Sequence, residues 1–139
     1  MVTRTYTKRT DFLVSFRKEL QSLLTSGISP ADIVVLSRRK KENSLFDNID
    51  EICNLKIVER DNLSFHGGKC LNYFTVQSFK GLESKIVFYI DVTGFSSTED
   101  RMLNYVAMSR ARLHLYLFYD EAKKQEYQET LDRGTDLLA

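Results

Sequence analysis

The sequence predicts a three-layer α/β domain built around a largely parallel sheet. Segments with strand character alternate along the chain with segments that repeat apolar residues every three or four positions. Two runs, Ile33–Leu36 and Ile86–Ile90, are apolar or aromatic at every position, which is typical of strands covered on both faces. The chain has 139 residues, 42% of them hydrophobic, so we predict a single domain spanning residues 1–139.

The first half of the chain predicts one clear helix and one clear strand. Apolar residues recur at three- and four-residue spacing over 11–26, and Gly27 is placed to end that helix. Pro30 falls in the turn before the strand at 33–36, where its fixed φ does no harm. A weak helical pattern then covers 45–52, and Leu55 to Val58 favours a short strand.

In the second half of the chain, predicted strands and predicted helices alternate more regularly. Residues 62–69, with two adjacent glycines, are typical of a loop, and the β-branched and aromatic residues of 73–76 and 86–90 predict two strands. The spacing of apolar residues predicts a helix over 99–112 and a last helix over 121–131. Between them, the run LHLYLFY at 113–119 predicts another strand.

Composition excludes several classes of protein. Twenty basic and nineteen acidic residues give a net charge of +1, so no global field attracts nucleic acid, although residues 1–41 alone carry +6. Two cysteines make no disulfide framework and favour a reducing compartment. The first ten residues are polar and the longest apolar run has five residues, so we expect a cytoplasmic protein without a membrane partner.

Two familiar kinds of site are absent from the sequence. The nearest approach to a phosphate-binding GxxxxGK[ST] loop ends in Gly67-Gly68-Lys69-Cys70, but Leu63 replaces the first glycine and Cys70 the hydroxyl residue. Cys53, His66 and Cys70 lack the paired CxxC spacing of a zinc site, and buried thiols explain the cysteines better. We therefore expect no metal ligands within this chain.

The segment TVQSFKGLE at 75–83 is the strongest candidate for ligand binding. It leaves one predicted strand and leads to the next, and ligands of doubly wound sheets bind at strand ends. Gly81 permits close approach of the backbone, Lys80 supplies a cation, and Gln77 and Ser78 can donate to phosphate or sugar oxygens. A plain surface turn with solvated Lys80 and Glu83 explains the same composition.

A basic residue near the end of the predicted helix 99–112 is the second candidate. On a wheel of about 100° per residue, Arg110 shares the apolar side with Leu103 and Val106, whereas Arg112 lies opposite with Arg101. A guanidinium on the packed side needs an anionic partner. Alternatively, Arg110 reaches water from the last turn, where a cation interacts favourably with the helix dipole.

Two further charged features remain open. Asp91 follows the run IVFYI, where a carboxylate can hold a metal but more simply ends a strand. The basic run Arg38-Arg39-Lys40-Lys41 follows the strand at 33–36, where it can touch a nucleic-acid backbone or form a solvated face.

Taken together, TVQSFKGLES, IVFYIDV and RMLNYVAMSRAR resemble the C-terminal half of superfamily 1 helicases of the UvrD/Rep/PcrA type. The segment SGISPADIVVLSRRK is similar to the strand entry of the same lobe, so the resemblance covers residues 10–120. It implies a RecA-like domain, related to P-loop NTPases, that lacks its own P-loop.

The resemblance assigns three residues to ATP. Arg110 matches an arginine finger that reaches the γ-phosphate across the cleft between two lobes, which would provide the anionic partner it needs. Glu83 matches the residue that binds the nucleotide ribose, and Gly81 a backbone contact near the γ-phosphate. The resemblance thus implies a catalytic role for Arg110 and a cofactor, ATP, shared with an absent first lobe.

The resemblance also implies a track for single-stranded DNA. Thr75 and Gln77 match positions that touch DNA in the family, with Gln77 in place of the usual histidine, and we extend this track to Ser78 and Lys80. Tyr105 matches an aromatic residue that packs rather than binds. Ser84 departs from the family, where an aromatic usually follows GLE.

The missing motifs limit what this chain does alone. The family's Walker A loop, its Mg²⁺-binding acidic box and its N-Y-R-S segment are absent, so Mg²⁺ would be held by the first lobe only. We expect the second lobe of an ATP-dependent DNA helicase, inactive alone, with the first lobe and single-stranded DNA as partners. One alternative is a stand-alone helicase-like binding module. Another is an unrelated α/β signalling domain that uses Asp91, in which Arg110 would form a salt bridge within the chain.

Overall fold

The computed structural model describes residues 1–60 and 69–132 as a seven-stranded sheet flanked by helices. The strands are β1 (Val2–Tyr6), β2 (Ile33–Ser37), β3 (Glu51–Ile52), β4 (Leu55–Glu59), β5 (Cys70–Thr75), β6 (Ser84–Val92) and β7 (Ala111–Asp120). The helices are α1 (Arg9–Thr25), α2 (Thr98–Met108) and α3 (Lys124–Asp132). The strand order is β1-β7-β6-β2-β5-β4-β3, and every neighbouring pair is parallel except β3 with β4.

Side chains of the central strands alternate between two buried clusters, one on each face of the sheet. Ile33 and Val35 pack on the α1 face, whereas Val34 and Leu36 pack on the face that carries α2 and α3. This alternation is the period of two expected of a strand covered on both sides. The predicted three-layer α/β architecture with a mainly parallel sheet is confirmed.

Helix α1 is held by one buried stripe and a well-formed end. Phe12, Phe16 and Leu20, each four residues after the last, are completely buried. At the end of the helix, Gly27 has φ 95°, and its N–H donates to the Leu24 carbonyl while that of Ile28 donates to Leu23. This pair of hydrogen bonds is a Schellman motif, which explains why the helix ends before Pro30.

Two parts of the chain depart from the predicted elements. Strand β1 lies in the polar N-terminal segment, where no strand was expected, because an edge strand buries too few side chains to show a pattern. The helical pattern predicted at 45–52 is wrong: this segment turns beneath α1 and ends in β3, with only Phe46 fully buried. The loop predicted at 62–69 lies outside the described residues except for Lys69.

Helix α2 is shorter than predicted. A capping box begins it, in which the Asp100 N–H donates to Ser97 Oγ and the Ser97 N–H donates to the Asp100 carboxylate. It ends at Met108, and β7 begins at Ala111, two residues before the predicted strand. The placement of Arg110 on a helical face is therefore wrong. Arg110 lies in the turn between α2 and β7.

Asp91 does not end a strand, contrary to prediction. It lies inside β6 with φ 57°, between the Tyr89 and Val92 positions where the register against β7 shifts. A β-bulge of this kind turns a side chain away from the regular alternation of the strand. No helix among the described residues is long and apolar enough to cross a membrane.

Candidate functional site

The loop at 76–83 runs from one edge of the sheet to the other. Thr75 ends β5 at the carboxyl edge, and Ser84 begins β6 at the amino edge, because the two strands point the same way on either side of β2. The loop is anchored midway by Phe79, which is 1% exposed and packs on Phe74 with ring centroids 4.8 Å apart. The residues expected to bind ligand are thus divided between two edges.

At the amino edge, the end of the loop meets the turn that carries Arg110. The Ser84 N–H donates to the Arg110 carbonyl oxygen at 3.0 Å, so the backbones of Glu83 and Arg110 lie next to each other. Gly81 turns the chain toward this edge with φ 81°. Arg112 Nε lies 4.0 Å from Glu83 Oε2, and both side chains are more than half exposed. The three residues assigned to ATP by resemblance therefore lie at one edge.

The Arg110 side chain borders a mostly apolar cavity, and its guanidinium has no ionic partner among the described residues. Its 210 Å³ cavity is lined by Val76, Gln77, Lys80, Leu103, Val106 and Arg110. Arg110 Nε is buried and has no hydrogen-bond partner, and no carboxylate of residues 1–60 or 69–132 forms an ion pair with its guanidinium. The salt bridge expected for an unrelated signalling domain is not formed within the described part of the chain.

At the carboxyl edge, Thr75 and Ser78 form a small polar turn. The Ser78 N–H donates to Thr75 Oγ1 at 3.1 Å, and the Thr75 hydroxyl donates to Ser78 Oγ at 2.7 Å. Lys40 and Glu59 lie beside them around a cavity of 320 Å³. Gln77 and Lys80 instead line the Arg110 cavity, so the structure brings the four expected DNA contacts together only in pairs.

Arg38 has a role that the sequence did not reveal. Its side chain is only 7% exposed, in contrast to the solvated face considered for the basic run. Its guanidinium donates to Asn104 Oδ1 at 2.6 Å and to Asp100 Oδ1 at 2.7 Å, both on α2. It also donates to Tyr89 Oη, Thr93 Oγ1 and the Gly94 carbonyl oxygen. Arg38 therefore fixes α2 to the carboxyl edge of the sheet.

These contacts set the charge of Asp100. Burial acts to raise the pKa of Asp100, but the hydrogen bonds from Arg38 and Ser97 outweigh it and hold the pKa below its usual range. The carboxylate is therefore charged at neutral pH and matches the buried guanidinium.

The Asp91 carboxylate, unlike that of Asp100, is held by neutral hydrogen-bond donors. Ser37 Oγ donates to its carboxylate at 2.6 Å and the Leu45 N–H at 3.2 Å. Burial raises the pKa of Asp91, and these hydrogen bonds offset only part of that effect. No group of three or more metal-ligating side chains occurs among the residues that the structure describes.

Two comparisons with known proteins found similar domains. The model of the UvrD-like helicase C-terminal domain family matches residues 72–118, which contain both the loop at 76–83 and Arg110. A solved structure, the C-terminal domain of a possible DNA helicase from Lactobacillus plantarum WCFS1, aligns with a TM-score of 0.67 and 14% identity, covering 86% of this chain and 72% of that one. No curated protein sequence matches the chain. The resemblance to the UvrD-like C-terminal lobe is confirmed, and at this identity the structural likeness concerns the fold.

Proposed function

We propose that this chain is the second RecA-like lobe of an ATP-dependent DNA helicase and completes an ATP site only when a first lobe is present. The proposal rests chiefly on Arg110, whose buried Nε has no hydrogen-bond partner among the described residues and whose backbone adjoins that of Glu83 and Ser84 at the amino edge. A buried N–H without a hydrogen-bond partner is costly, and an acceptor brought by another domain, such as a phosphate oxygen, would remove that cost.

The chemistry follows from the charge that develops on a transferring phosphoryl group. Arg110 would stabilise that charge in the transition state, which is how arginine fingers accelerate ATP and GTP hydrolysis. Glu83, whose carboxylate is well exposed, would accept hydrogen bonds from the ribose hydroxyls. A Cβ added at Gly81 would meet no atom within 4 Å, so this glycine leaves room for the nucleotide to approach the backbone.

The other half of the ATP site has no counterpart in this sequence. Residues 1–139 contain no GxxxxGK[ST] loop to hold the β- and γ-phosphates. The first lobe would supply that loop and the ligands of Mg²⁺, and Mg²⁺ would neutralise the phosphate charge there. Alone, this chain would neither hydrolyse ATP nor unwind DNA.

Nucleic acid would bind through the other end of the same loop. Thr75 and Ser78 offer hydroxyl groups beside Lys40, a combination that suits a phosphate backbone. Gln77 and Lys80 line the same cavity as Arg110, so they would contact DNA at a place where bound ATP can affect their position. Closure of two lobes around ATP would then move the DNA-binding end of the loop relative to the first lobe.

An ATPase assay with the cognate first lobe tests the proposal. We expect Arg110→Ala to lower the DNA-stimulated rate by about 10³-fold or more, the range typical of the loss of an arginine finger. Arg112→Ala is the matched control, because Arg112 lies two residues away, is exposed and, among the described residues, forms a single ion pair, a long one with Glu83. Equal rates for wild type and Arg110→Ala would remove the finger assignment. DNA binding by the isolated chain, with no ATPase in the mixture, would instead favour the stand-alone binding module.

A further inference from the structure

The carboxyl edge of the sheet contains a second crevice, lined by residues other than those of the Arg110 cavity. The chain leaves β1 and β2 toward the α1 face, whereas it leaves β6 and β7 toward the face of α2 and α3. In the strand order β1-β7-β6-β2, β7 is next to β1 and β6 is next to β2, so the connections that follow the two strands of each of these neighbouring pairs leave toward opposite faces of the sheet. Such a divergence in an open α/β sheet is the usual position of a ligand site.

A cavity of 400 Å³ fills this divergence, which is within the range of small-molecule sites. Each of the four strands or the segment just after it contributes to the lining, chiefly through Tyr6, Arg9, Arg39, Asp91, Asp120 and Lys123. None of these residues lines the Arg110 cavity. The crevice is therefore a separate place on the domain.

The basic side chains of the crevice favour an anion. The Arg39 guanidinium is exposed and, within the described ranges, forms no hydrogen bond and no ion pair. Burial raises the pKa of Asp91, and the Arg39 charge is close enough to oppose that rise. Arg9 is already bound to the Leu45 and Asp47 carbonyl oxygens, and Lys123 Nζ lies 3.6 Å from Glu126. Arg39 is thus the cation with unused donors, and the other two add positive potential.

The opposite wall offers groups that suit hydroxyls. The bulge at Asp91 turns its carboxylate into the crevice, where Ser37 and Leu45 hold it in place and leave further lone pairs to accept hydrogen bonds. Burial raises the pKa of the Tyr6 phenol, with nearby Asp91 and Asp120 adding to the effect, so Tyr6 is a neutral donor at physiological pH. The Arg39 cation and the two groups that can hydrogen-bond to hydroxyls, Asp91 and Tyr6, thus line the same cavity.

We propose that this crevice binds a sugar phosphate, with the phosphate on Arg39 and the sugar hydroxyls on Asp91 and Tyr6. The same chemistry occurs in a free sugar phosphate and in the terminal nucleotide of a nucleic-acid strand. The site does not depend on Arg110 or on a first lobe, so the ATPase proposal and this one can fail separately.

Titration calorimetry of the chain with ribose 5-phosphate tests the site. We expect a Kd of about 1 mM or tighter, with no binding of unphosphorylated ribose. Arg39→Gln should weaken binding at least about fivefold, since a charge-assisted phosphate contact is lost. Asp91→Asn should weaken it by a similar factor, and this variant is expected to fold because asparagine tolerates the positive φ at this position. Arg112→Gln, at the opposite edge, is the control and should bind as wild type does.

The source of the sugar phosphate is decided by competition. A 5′-phosphorylated oligonucleotide that displaces ribose 5-phosphate, when its unphosphorylated counterpart does not, identifies a strand end. Absence of displacement identifies a free metabolite, and both results support the site. Failure of both probes to bind, or equal affinity in wild type and Arg39→Gln, would overturn the proposal. Circular dichroism spectra identical to wild type would establish that each variant is folded.

Discussion

Arg38 Nη2 lies 2.6 Å from Asn104 Oδ1, and the Tyr89 hydroxyl donates to the same oxygen at 2.7 Å. One amide oxygen of α2 thus joins the end of β2 to the middle of β6. Asn104 is completely buried, and its Nδ2 donates to the Gly94 carbonyl oxygen at 3.1 Å. A fully satisfied polar network of this kind fixes one orientation of α2, and with it the turn that carries Arg110.

Removal of the guanidinium from this network should destabilise the fold. Arg38→Met leaves the Asp100 carboxylate and the Asn104 oxygen short of partners, and we expect a loss of about 2–4 kcal/mol in the free energy of unfolding. Arg39→Met is the matched control at the next position, where the side chain is exposed, and should change stability by less than about 0.5 kcal/mol. Urea denaturation followed by circular dichroism measures both. Equal losses would mean that the hydrogen bonds of Arg38 contribute little.

Two glycines should respond to alanine for different physical reasons. At Gly94 an added Cβ would lie 2.6 Å from Asp100 Oδ2, so Gly94→Ala should cost about 1–3 kcal/mol through overpacking. At Gly81 nothing lies within 4 Å, but φ is 81°, so Gly81→Ala should cost about 1 kcal/mol of backbone strain.

The two costs can be separated by a second substitution. In an Asp100→Ala background the contact at 2.6 Å is removed and a looser one with Glu126 Oε1 at 3.2 Å remains, so most of the cost of Gly94→Ala should disappear, whereas that of Gly81→Ala should persist. Thermal unfolding of the single and double variants measures the difference. A Gly94→Ala cost that is the same in both backgrounds would show that Asp100 is not the obstacle.

Glu126 should make stability depend on pH in the acid range. Burial acts to raise the pKa of Glu126, but the N–H groups of Phe95 and Ser96, at 2.6 and 2.7 Å, outweigh it and lower the pKa. A lowered pKa in the folded state gives stability that is complete above the unfolded pKa of about 4.3 and is lost as the pH falls through the folded value.

Glu126→Gln should therefore cost about 1–2 kcal/mol at pH 7 and progressively less below pH 4. Urea unfolding of wild type and variant at a series of pH values measures the convergence. Two curves that stay parallel down to pH 2 would contradict the role of this carboxylate.

The sequence predicted the elements that carry their own pattern. Helix α1 and strands β2 and β6 are long or uniformly apolar, so their periodicity identifies them without tertiary information. The end of α2 could not be found in this way. Apolar residues continue at helical spacing past Met108, although the chain from Ala111 onward belongs to β7. The pairing of Ala111 with Ser84 decides that boundary, and it joins positions far apart in the chain.

The sequence predicted which residues belong to the candidate site, but not that they lie at two separate places on the domain. The motif at 75–83 identified the loop, yet the separation of Thr75 and Ser78 from Gln77 and Lys80 depends on how Phe79 is anchored. Arg38 was missed because its partners Tyr89 and Asn104 lie 51 and 66 residues away along the chain. No local pattern distinguishes such a buried arginine from its exposed neighbours.

Strand β1 has a consequence for any shortened version of this protein. It pairs with only one neighbour, covering the outer side of Tyr116 to Asp120, and this part of β7 is nearly all aromatic or aliphatic. A fragment that began after Tyr6 would retain every recognisable motif but would leave that backbone open to any passing strand. Residues of β1 therefore protect the protein against edge-to-edge association. A fragment whose N-terminal boundary was chosen from the motifs alone would be prone to aggregate.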